Sequence, residues 1–407
     1  MLLKRRIWSW RNGLIRKQAM LILAMILFIL LFVGGCSSQS KNNSSNVTPS
    51  KQTDFEAAKK VAEAYGDIYE DAIKTNTVGS LEMVRKIVTR LGERGYVAFD
   101  YKNQLDTVNP KRIESFHDKV KKKKQGKLTM ICVMYSGNFV RYQLETKEGK
   151  VHITEKTYGW QEGRIKEKYK ESYDAYSWVY EDGYLFFEQY HMPGYDGPSG
   201  HRAVRVEPLD ENLRELNRIY LLPIGYELNN MFTSNWSEKD YKNLNFYDLY
   251  EVMSLRKEGE EIDTRFLEEG ITYEIPKRKF EAVFQEFFRV DSQSLQKRTI
   301  YNEATGTYQY RARGMYDFAP TPYIPYPEVV GYEKNQNGTI KLTVKAIWPE
   351  KNLAKAFCHQ LVVRPLGNGK FQYVSNYVIP SKENAEVTWY TERLSDEKWK
   401  EYYQEMR

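Results

Sequence analysis

The sequence predicts an α+β fold, in which a helical N-terminal entry is followed by two twisted, antiparallel, β-rich domains. Apolar residues recur at helical spacing between residues 58 and 91, and farther on short apolar runs alternate with turn sequences. Strand runs follow one another instead of alternating with helices, which favours antiparallel meanders over a parallel sheet. The folded part exceeds the usual size of one domain. We therefore expect a first domain over residues 53–222 and a second over residues 223–407.

Two helices are predicted at the start of the first domain. Thr53 and Glu56 match a capping box, in which each side chain accepts a backbone N–H at the helix start. Ser80 is expected to cap the second helix, which Gly92 ends. Two further helices are predicted later in the chain: residues 212–219 and a helix opened by Pro276.

The predicted strands form two groups, separated by a segment to which the sequence assigns no regular structure, residues 223–272. Turns such as Glu148-Gly149 and Asn337-Gly338 separate consecutive strands. The first group comprises residues 128–135, 138–146, 150–158, 175–180, 184–190 and 203–206. The second group comprises residues 308–312, 328–332, 339–347, 356–363 and 371–378.

Three pairs of short segments favour a divergent internal duplication. Residues 110–114 resemble 276–281, residues 149–156 resemble 338–345, and residues 204–209 resemble 361–366, in the same order along the chain. The alternative is that hairpins look alike because strands share β-forming residues and turns share glycine.

The N-terminal residues have the composition of an export signal. Residues 1–35 contain six Lys and Arg and no acid, and the apolar run 19–33 has the length of a signal-peptide core. Val33-Gly34-Gly35-Cys36 resembles the lipobox of bacterial lipoproteins, in which the cysteine is acylated and the leader is removed. The resemblance implies a signal peptide over residues 1–35 and a lipid anchor on Cys36. The alternative is an uncleaved transmembrane helix.

The segment that begins at the lipobox cysteine, residues 36–52, is rich in Ser and Asn and has no apolar run. Such a composition cannot form a core and predicts a flexible tether. The tether would hold the folded part away from the surface of a membrane.

The charge of the chain argues against nucleic acid as a partner. Of 61 Lys and Arg, six lie in residues 1–35, which leaves 55 against 54 Asp and Glu. The folded part therefore lacks the basic excess that a nucleic-acid-binding protein needs.

No catalytic residue, cofactor or metal is predicted. The sequence has no Gly-x-Ser-x-Gly, no phosphate-binding glycine loop and no paired cysteines at metal spacing. Cys132 and Cys358 lie in apolar strands and are expected to be free, buried thiols, with a disulfide as the alternative. His191, His201 and Asp196 would bind zinc only if their Gly- and Pro-rich loop folded back on itself.

Two surfaces are candidates for binding. Lys121, Lys122, Lys123 and Lys124 form a dense basic run that could contact anionic lipid head groups or wall polymers, or could be a solvated loop. Tyr323 and Tyr326 belong to a segment with four prolines, residues 316–327, that could bind a partner or cross between two sheet edges.

The mature chain also resembles an uncharacterised family of lipoproteins from Gram-positive gut anaerobes. Residues 91–98, 222–227, 229–232 and 327–332 carry the resemblance. The family has no assigned activity, so the resemblance implies no mechanism.

We expect a lipid-anchored protein at the outer face of the cell membrane that binds or scaffolds without catalysis. Its expected partners are membrane lipid, through Cys36, and an envelope polymer or a membrane protein. The alternatives are an envelope glycan or peptidoglycan hydrolase, and a solute receptor or sensor accessory of a membrane protein.

Overall fold

The computed structural model describes residues 49–195, 197, 199–258, 269–318 and 323–403. The chain divides into a unit of residues 1–56 and a unit of residues 57–407. The predicted signal peptide, Cys36 and Asp196 lie outside the described residues, as does the predicted tether up to residue 48. In the part that is described, no helix is both long enough and apolar enough to cross a membrane.

Helices packed on antiparallel sheets confirm the predicted α+β class. The elements of the first half are α1 (Pro49–Lys74), α2 (Leu81–Glu93), β1 (Val97–Asp100), α3 (Lys111–Lys121), β2 (Gly126–Val133), β3 (Phe139–Lys147), β4 (Lys150–Gln161), β5 (Arg164–Asp174), β6 (Ser177–Glu181), β7 (Tyr184–Glu188), β8 (His201–Arg205) and α4 (Glu211–Tyr220).

The second half has the same mixture of elements. They are β9 (Trp236–Ser237), α5 (Phe246–Glu258), β10 (Thr272–Pro276), α6 (Lys277–Phe287), α7 (Ser292–Gln296), β11 (Tyr301–Asn302), β12 (Thr307–Arg311), β13 (Tyr326–Lys334), β14 (Ile340–Ile347), a 3-10 turn (Pro349–Lys351), β15 (Cys358–Gly367), β16 (Lys370–Val378) and α8 (Asp396–Tyr403). Each predicted strand corresponds to one of these strands, with bounds that differ by a few residues.

The two N-terminal helices match their predicted caps only in part. The capping box at Thr53 and Glu56 is wrong, because α1 already begins at Pro49, inside the segment expected to be a tether. Proline is favoured at the first helical position, where its missing N–H would have no partner. The cap of α2 is confirmed: Ser80 Oγ accepts a hydrogen bond from the backbone N–H of Met83 at 3.1 Å.

We expect Ser80→Ala to lower the free energy of unfolding by about 1 kcal/mol, because the N–H of Met83 loses its acceptor. Urea denaturation of the full chain in detergent measures the change. Ser80→Asp keeps an acceptor at the same position and is expected to retain most of the stability. An equal loss in the two variants would contradict a role for the cap.

The first sheet has the order β1-β2-β3-β4-β5, in which β1 is parallel to β2 and the other pairs are antiparallel. One face packs against α1 and α2, and the other against α3 and the three-stranded sheet β6-β7-β8. The strands β1 and β5 were not predicted. Among the described residues, α1 and α2 cover only one end of the face on which they pack, and the other end is exposed.

The second half has a five-stranded sheet of order β13-β14-β15-β16-β9 and a three-stranded sheet of order β10-β12-β11. The unassigned segment 223–272 supplies β9, α5 and the start of β10. A large aromatic core lies between these sheets, α5 and α6. Its last buried member, Trp389, packs edge-on against Trp348 with ring centroids 4.9 Å apart.

The three segment pairs that favour a duplication fall on partly equivalent elements. Residues 111 and 277 both begin eleven-residue helices that follow a proline. The second pair falls on β4 and β14, each of which follows a tight turn. The third pair falls on β8 and β15, which lie in sheets of different size and order. The duplication and the division at residue 222 stay predictions.

Candidate functional site

Charged side chains form a row across the open end of the first sheet. The strand register places Lys127 on β2 opposite Glu145 on β3, Glu145 opposite His152 on β4, and His152 opposite Asp174 on β5. Directly opposite residues of neighbouring strands project from the same face. We call these four residues the first row.

The first row is held by one ion pair and one contact between a histidine and a carboxylate at the sheet surface. Lys127 Nζ lies 2.6 Å from Glu145 Oε1, and His152 Nδ1 lies 2.8 Å from Asp174 Oδ1. All four side chains are exposed. Exposed pairs of this kind contribute about 0–1 kcal/mol each, so the row is no major source of stability.

A second row of uncharged polar residues lies on the same face, two residues along each strand. It consists of Thr129, Gln143, Thr154 and Ser172. The hydroxyl oxygens of Thr154 and Ser172 are 2.9 Å apart and hydrogen-bond to each other. The next row on this face is mixed and consists of Ile131, Arg141, Lys156 and Lys170. Beyond it the face is apolar, with Val133, Phe139 and Tyr158 packed in the core that α1 and α2 cover.

A groove of about 700 Å³ lies beside the first row. The first row and the hairpin turn between β3 and β4 line it, together with Gln125 and Gly126 at the start of β2. Lys147 and Lys150 flank the turn, where Glu148 and Gly149 have positive φ angles of 55° and 83°. The turn therefore brings two more ammonium groups to the groove.

The predicted basic run adjoins this groove. Lys121 ends α3, and Lys122 to Lys124 form the exposed connection to β2. The Cγ atom of Lys123 lies only 3.3 Å from the position that a Cβ on Gly149 would take, so the run contacts the β3–β4 turn. The basic run is thus continuous with the lysines of the hairpin.

We call the basic residues around the groove the lysine rim. All eight are exposed, and four acids lie among them: Asp118, Glu145, Glu148 and Asp174. The local excess is therefore four positive charges, although the folded part as a whole is close to neutral. The rim consists of Lys119, Lys121, Lys122, Lys123, Lys124, Lys127, Lys147 and Lys150.

Sequence reasoning identified the run 121–124 but missed Lys147, Lys150 and the first row. The Glu148-Gly149 turn was itself predicted, and a tight hairpin turn necessarily places residues 147 and 150 side by side. No turn or run in the sequence indicates the first row. The row depends on the register of four strands, and one of them, β5, was not predicted.

Tyr323 and Tyr326 lie in a different part of the fold. Tyr326 begins β13, and its hydroxyl accepts a hydrogen bond from Asn103 Nδ2 at 3.3 Å. The ring of Tyr323 lies 5.7 Å from that of His201. Asn103 follows β1 at the end of the first sheet opposite the lysine rim, so the two predicted surfaces are separate.

His191 and His201, which would bind zinc only if their loop folded back, have different neighbours in the part that the structure describes. The ring of His191 lies 3.9 Å from that of Tyr195, whereas His201 Nε2 is 3.9 Å from Glu188 Oε1. Burial lowers the pKa of His201. Among the described residues, no group of three or more His, Cys, Asp or Glu is arranged to hold a metal ion.

Both cysteines of the folded part are free thiols, as predicted, and Cys132 is buried while Cys358 is partly buried. Burial raises the pKa of both thiols. His359, the neighbour of Cys358, is fully buried and points into the core. Its hydrogen bonds go to Tyr226 and Asn376, so the adjacent cysteine and histidine do not form a catalytic pair.

No curated protein and no solved structure matches the chain. A family of unknown function, DUF6070, matches residues 51–393, which include the lysine rim, the first row and the buried cores of both halves. Because this match covers most of the sequence, the chain belongs to the family of unknown function DUF6070.

Proposed function

We propose that the protein is a lipid-anchored extracytoplasmic protein that binds a component of the cell envelope through the lysine rim and its groove, without catalysis. The observation that carries the binding site is the convergence of eight exposed lysines from α3, the turn after it, β2 and the β3–β4 hairpin. A local excess of positive charge beside a concave polar surface attracts anionic ligands.

The lining of the groove favours binding over hydrolysis. An envelope hydrolase would hold two carboxylates in an aromatic cleft, with one of them kept protonated by an apolar environment. The three acids that line this groove, Glu145, Glu148 and Asp174, are all exposed. Glu145 lies beside Lys127, and Asp174 lies beside His152. No Phe, Tyr or Trp is among the residues that line it.

The lipid anchor is tested at Cys36. We expect the wild-type protein to incorporate labelled palmitate in growing cells and Cys36→Ser to incorporate none. Cys132→Ser is the matched control, because it removes a buried thiol of the folded part and leaves the lipobox intact. Equal labelling of wild type and Cys36→Ser would overturn the anchor.

The binding site is tested by removing three charges from the rim. We expect the triple variant Lys123→Gln, Lys147→Gln and Lys150→Gln to bind isolated cell envelopes about tenfold more weakly or worse, since each lysine contributes up to about 1 kcal/mol near an anionic surface. Co-sedimentation of the full chain in detergent measures the affinity. Added salt should weaken wild-type binding, because it screens exposed charges.

A second triple variant controls for the loss of charge as such. Lys59→Gln, Lys60→Gln and Lys86→Gln remove three exposed lysines from α1 and α2, away from the groove. This variant is expected to bind envelopes as the wild type does. The same affinity loss in both triple variants would show that binding depends on overall charge and would contradict a site at the groove.

A further inference from the structure

We propose that the ligand of the lysine rim is a linear polymer in which polyols are joined by phosphate diesters, lying across the strands of the first sheet. This inference rests on the proposed function and names the chemical class of its ligand. It follows from the distribution of charge, from the hydroxyl-bearing second row and from the shape of the groove.

The distribution of charge fits a repeating anion better than a single one. A site for one small anion concentrates buried donors on one point. Every lysine of the rim is instead exposed, and the lysines come from α3, the turn after it, β2 and the β3–β4 hairpin. Many weak, spaced contacts yield high affinity only when the ligand carries many linked charges. A chain of phosphate diesters supplies one such charge in each repeat.

The second row fits the parts of the polymer between the phosphates. Thr129, Gln143, Thr154 and Ser172 carry groups that both donate and accept hydrogen bonds, as a polyol hydroxyl does. The second row lies about 7 Å from the first, and each row spans four strands, or about 14 Å. An extended chain laid along the second row meets hydroxyl groups there. Beyond the first row, whose Glu145 lies beside Lys127, it meets the ammonium groups of the lysine rim.

The surface does not have the composition of a membrane-binding face. Such faces combine basic residues with exposed apolar side chains that enter the bilayer. The large exposed apolar side chains of the described residues include Tyr101, Tyr176 and Met315, and none falls within residues 111–127 or 145–152. Tyr176, two positions after Asp174, packs against Tyr190. A concave groove also fits a chain better than a flat bilayer.

Removing phosphate diesters from the envelope provides the first test. Isolated cell walls are divided, and one half is treated with cold aqueous hydrogen fluoride, which cleaves phosphate diesters and leaves the glycan strands. We expect the full chain in detergent to bind treated walls at least about tenfold more weakly than untreated walls. This loss should match the one expected for the triple rim variant on untreated walls. If binding to treated walls is unchanged but still requires the rim, the ligand class is wrong and the proposed function stands. If the rim variant binds untreated walls normally, both fail.

Defined polymers provide the second test. We expect the protein to bind poly(glycerol phosphate) more tightly than vesicles of phosphatidylglycerol, which carry the same head group on a flat surface. Tighter binding to the vesicles, with dependence on the rim, would overturn the polymer and indicate a membrane-facing site.

Thr154→Val tests the second row while keeping the shape of the side chain. It is expected to weaken binding of poly(glycerol phosphate) about fivefold, the usual effect of one lost hydrogen bond, and to leave binding of inorganic polyphosphate unchanged. Ser172→Ala, at an exposed position, is a second variant with the same expected selectivity. An equal loss of affinity for the two polymers would contradict a role for the second row in recognising the hydroxyl groups of the ligand.

Discussion

Asp248→Asn is expected to lower the free energy of unfolding by about 3–5 kcal/mol, the largest effect that we expect from a single substitution. Asp248 lies on α5 and is completely buried, and two almost completely buried arginines share its carboxylate. Arg313 donates through Nε at 3.0 Å and through Nη2 at 2.7 Å. Arg393 donates through Nε at 2.6 Å.

Further hydrogen bonds hold this cluster together. The hydroxyl of Tyr390 donates to Asp248 Oδ2 at 3.0 Å, and Nη2 of Arg393 donates to Glu251. Burial disfavours the charge on Arg393, but Asp248 and Glu251 outweigh it and keep the pKa of the guanidinium raised. Removing the charge of Asp248 would therefore leave two buried cations facing a single remaining carboxylate.

Urea denaturation of the full chain in detergent measures the effect, and Asp240→Asn is the matched control. Asp240 forms an ion pair with Arg298 at 3.2 Å, but its side chain is 59% exposed. Breaking such a surface pair is expected to cost less than about 1 kcal/mol. A similarly small loss for Asp248→Asn would contradict the view that this cluster stabilises the fold.

The second large effect concerns pH. Burial lowers the pKa of His359 from 6.5 to about 4, and its ring is fully enclosed. Nδ1 lies 2.7 Å from Asn376 Oδ1, and Nε2 lies 3.0 Å from the hydroxyl of Tyr226. The carbonyl-type oxygen of Asn376 can only accept, so Nδ1 donates to it. Because the pKa is lowered, the ring is neutral at pH 7, and Nε2 then accepts from the hydroxyl of Tyr226.

The contribution of His359 to stability is expected to be complete above about pH 6.5 and lost as the pH falls to about 4. Below pH 6.5 the unfolded state takes up a proton that the folded state excludes, so unfolding becomes more favourable. Each pH unit in this window contributes about 1.4 kcal/mol. The total loss is therefore about 3 kcal/mol.

Urea denaturation at a series of pH values measures this loss as a difference between wild type and His359→Gln. Glutamine can hydrogen-bond but does not titrate, so the variant should lose stability less steeply between pH 6.5 and 4. His152→Gln, at an exposed histidine, is the control for removing an imidazole. If His359→Gln does not fold, the ring is titrated directly by nuclear magnetic resonance in the wild type. Protonation near pH 6.5 in the folded protein would refute the prediction.

In the first sheet, the sequence predicted the strands whose two faces differ and missed β1 and β5, whose faces are alike. In β2 and β4, apolar and polar residues alternate, and both strands were predicted. All four residues of β1 are buried, whereas nearly every residue of β5 is polar and exposed, so neither strand shows the alternation. On α5, buried residues include Asp248 as well as Phe246 and Leu249, which obscures an apolar stripe.

The candidate site could be predicted only where it is local in sequence. The run 121–124 is visible as four consecutive lysines, and the turn at Gly149 indicates that residues 147 and 150 are neighbours. The first row brings together residues 127 and 174, which are 47 positions apart. Their alignment depends on the register of three strand pairs, which a single sequence does not determine.

The late position of Arg393 and Trp389 in the chain has a consequence for biosynthesis. Both are made after every described strand of the second half. Trp389 nevertheless completes a core whose first buried member is Tyr220, and Arg393 pairs with Asp248 on α5. A polypeptide whose translation stops before residue 389 would leave Trp348 and Phe357 uncovered and Asp248 without Arg393. Proteases that recognise exposed apolar segments would then degrade the truncated chains preferentially, because only a chain that includes Trp389 buries this core.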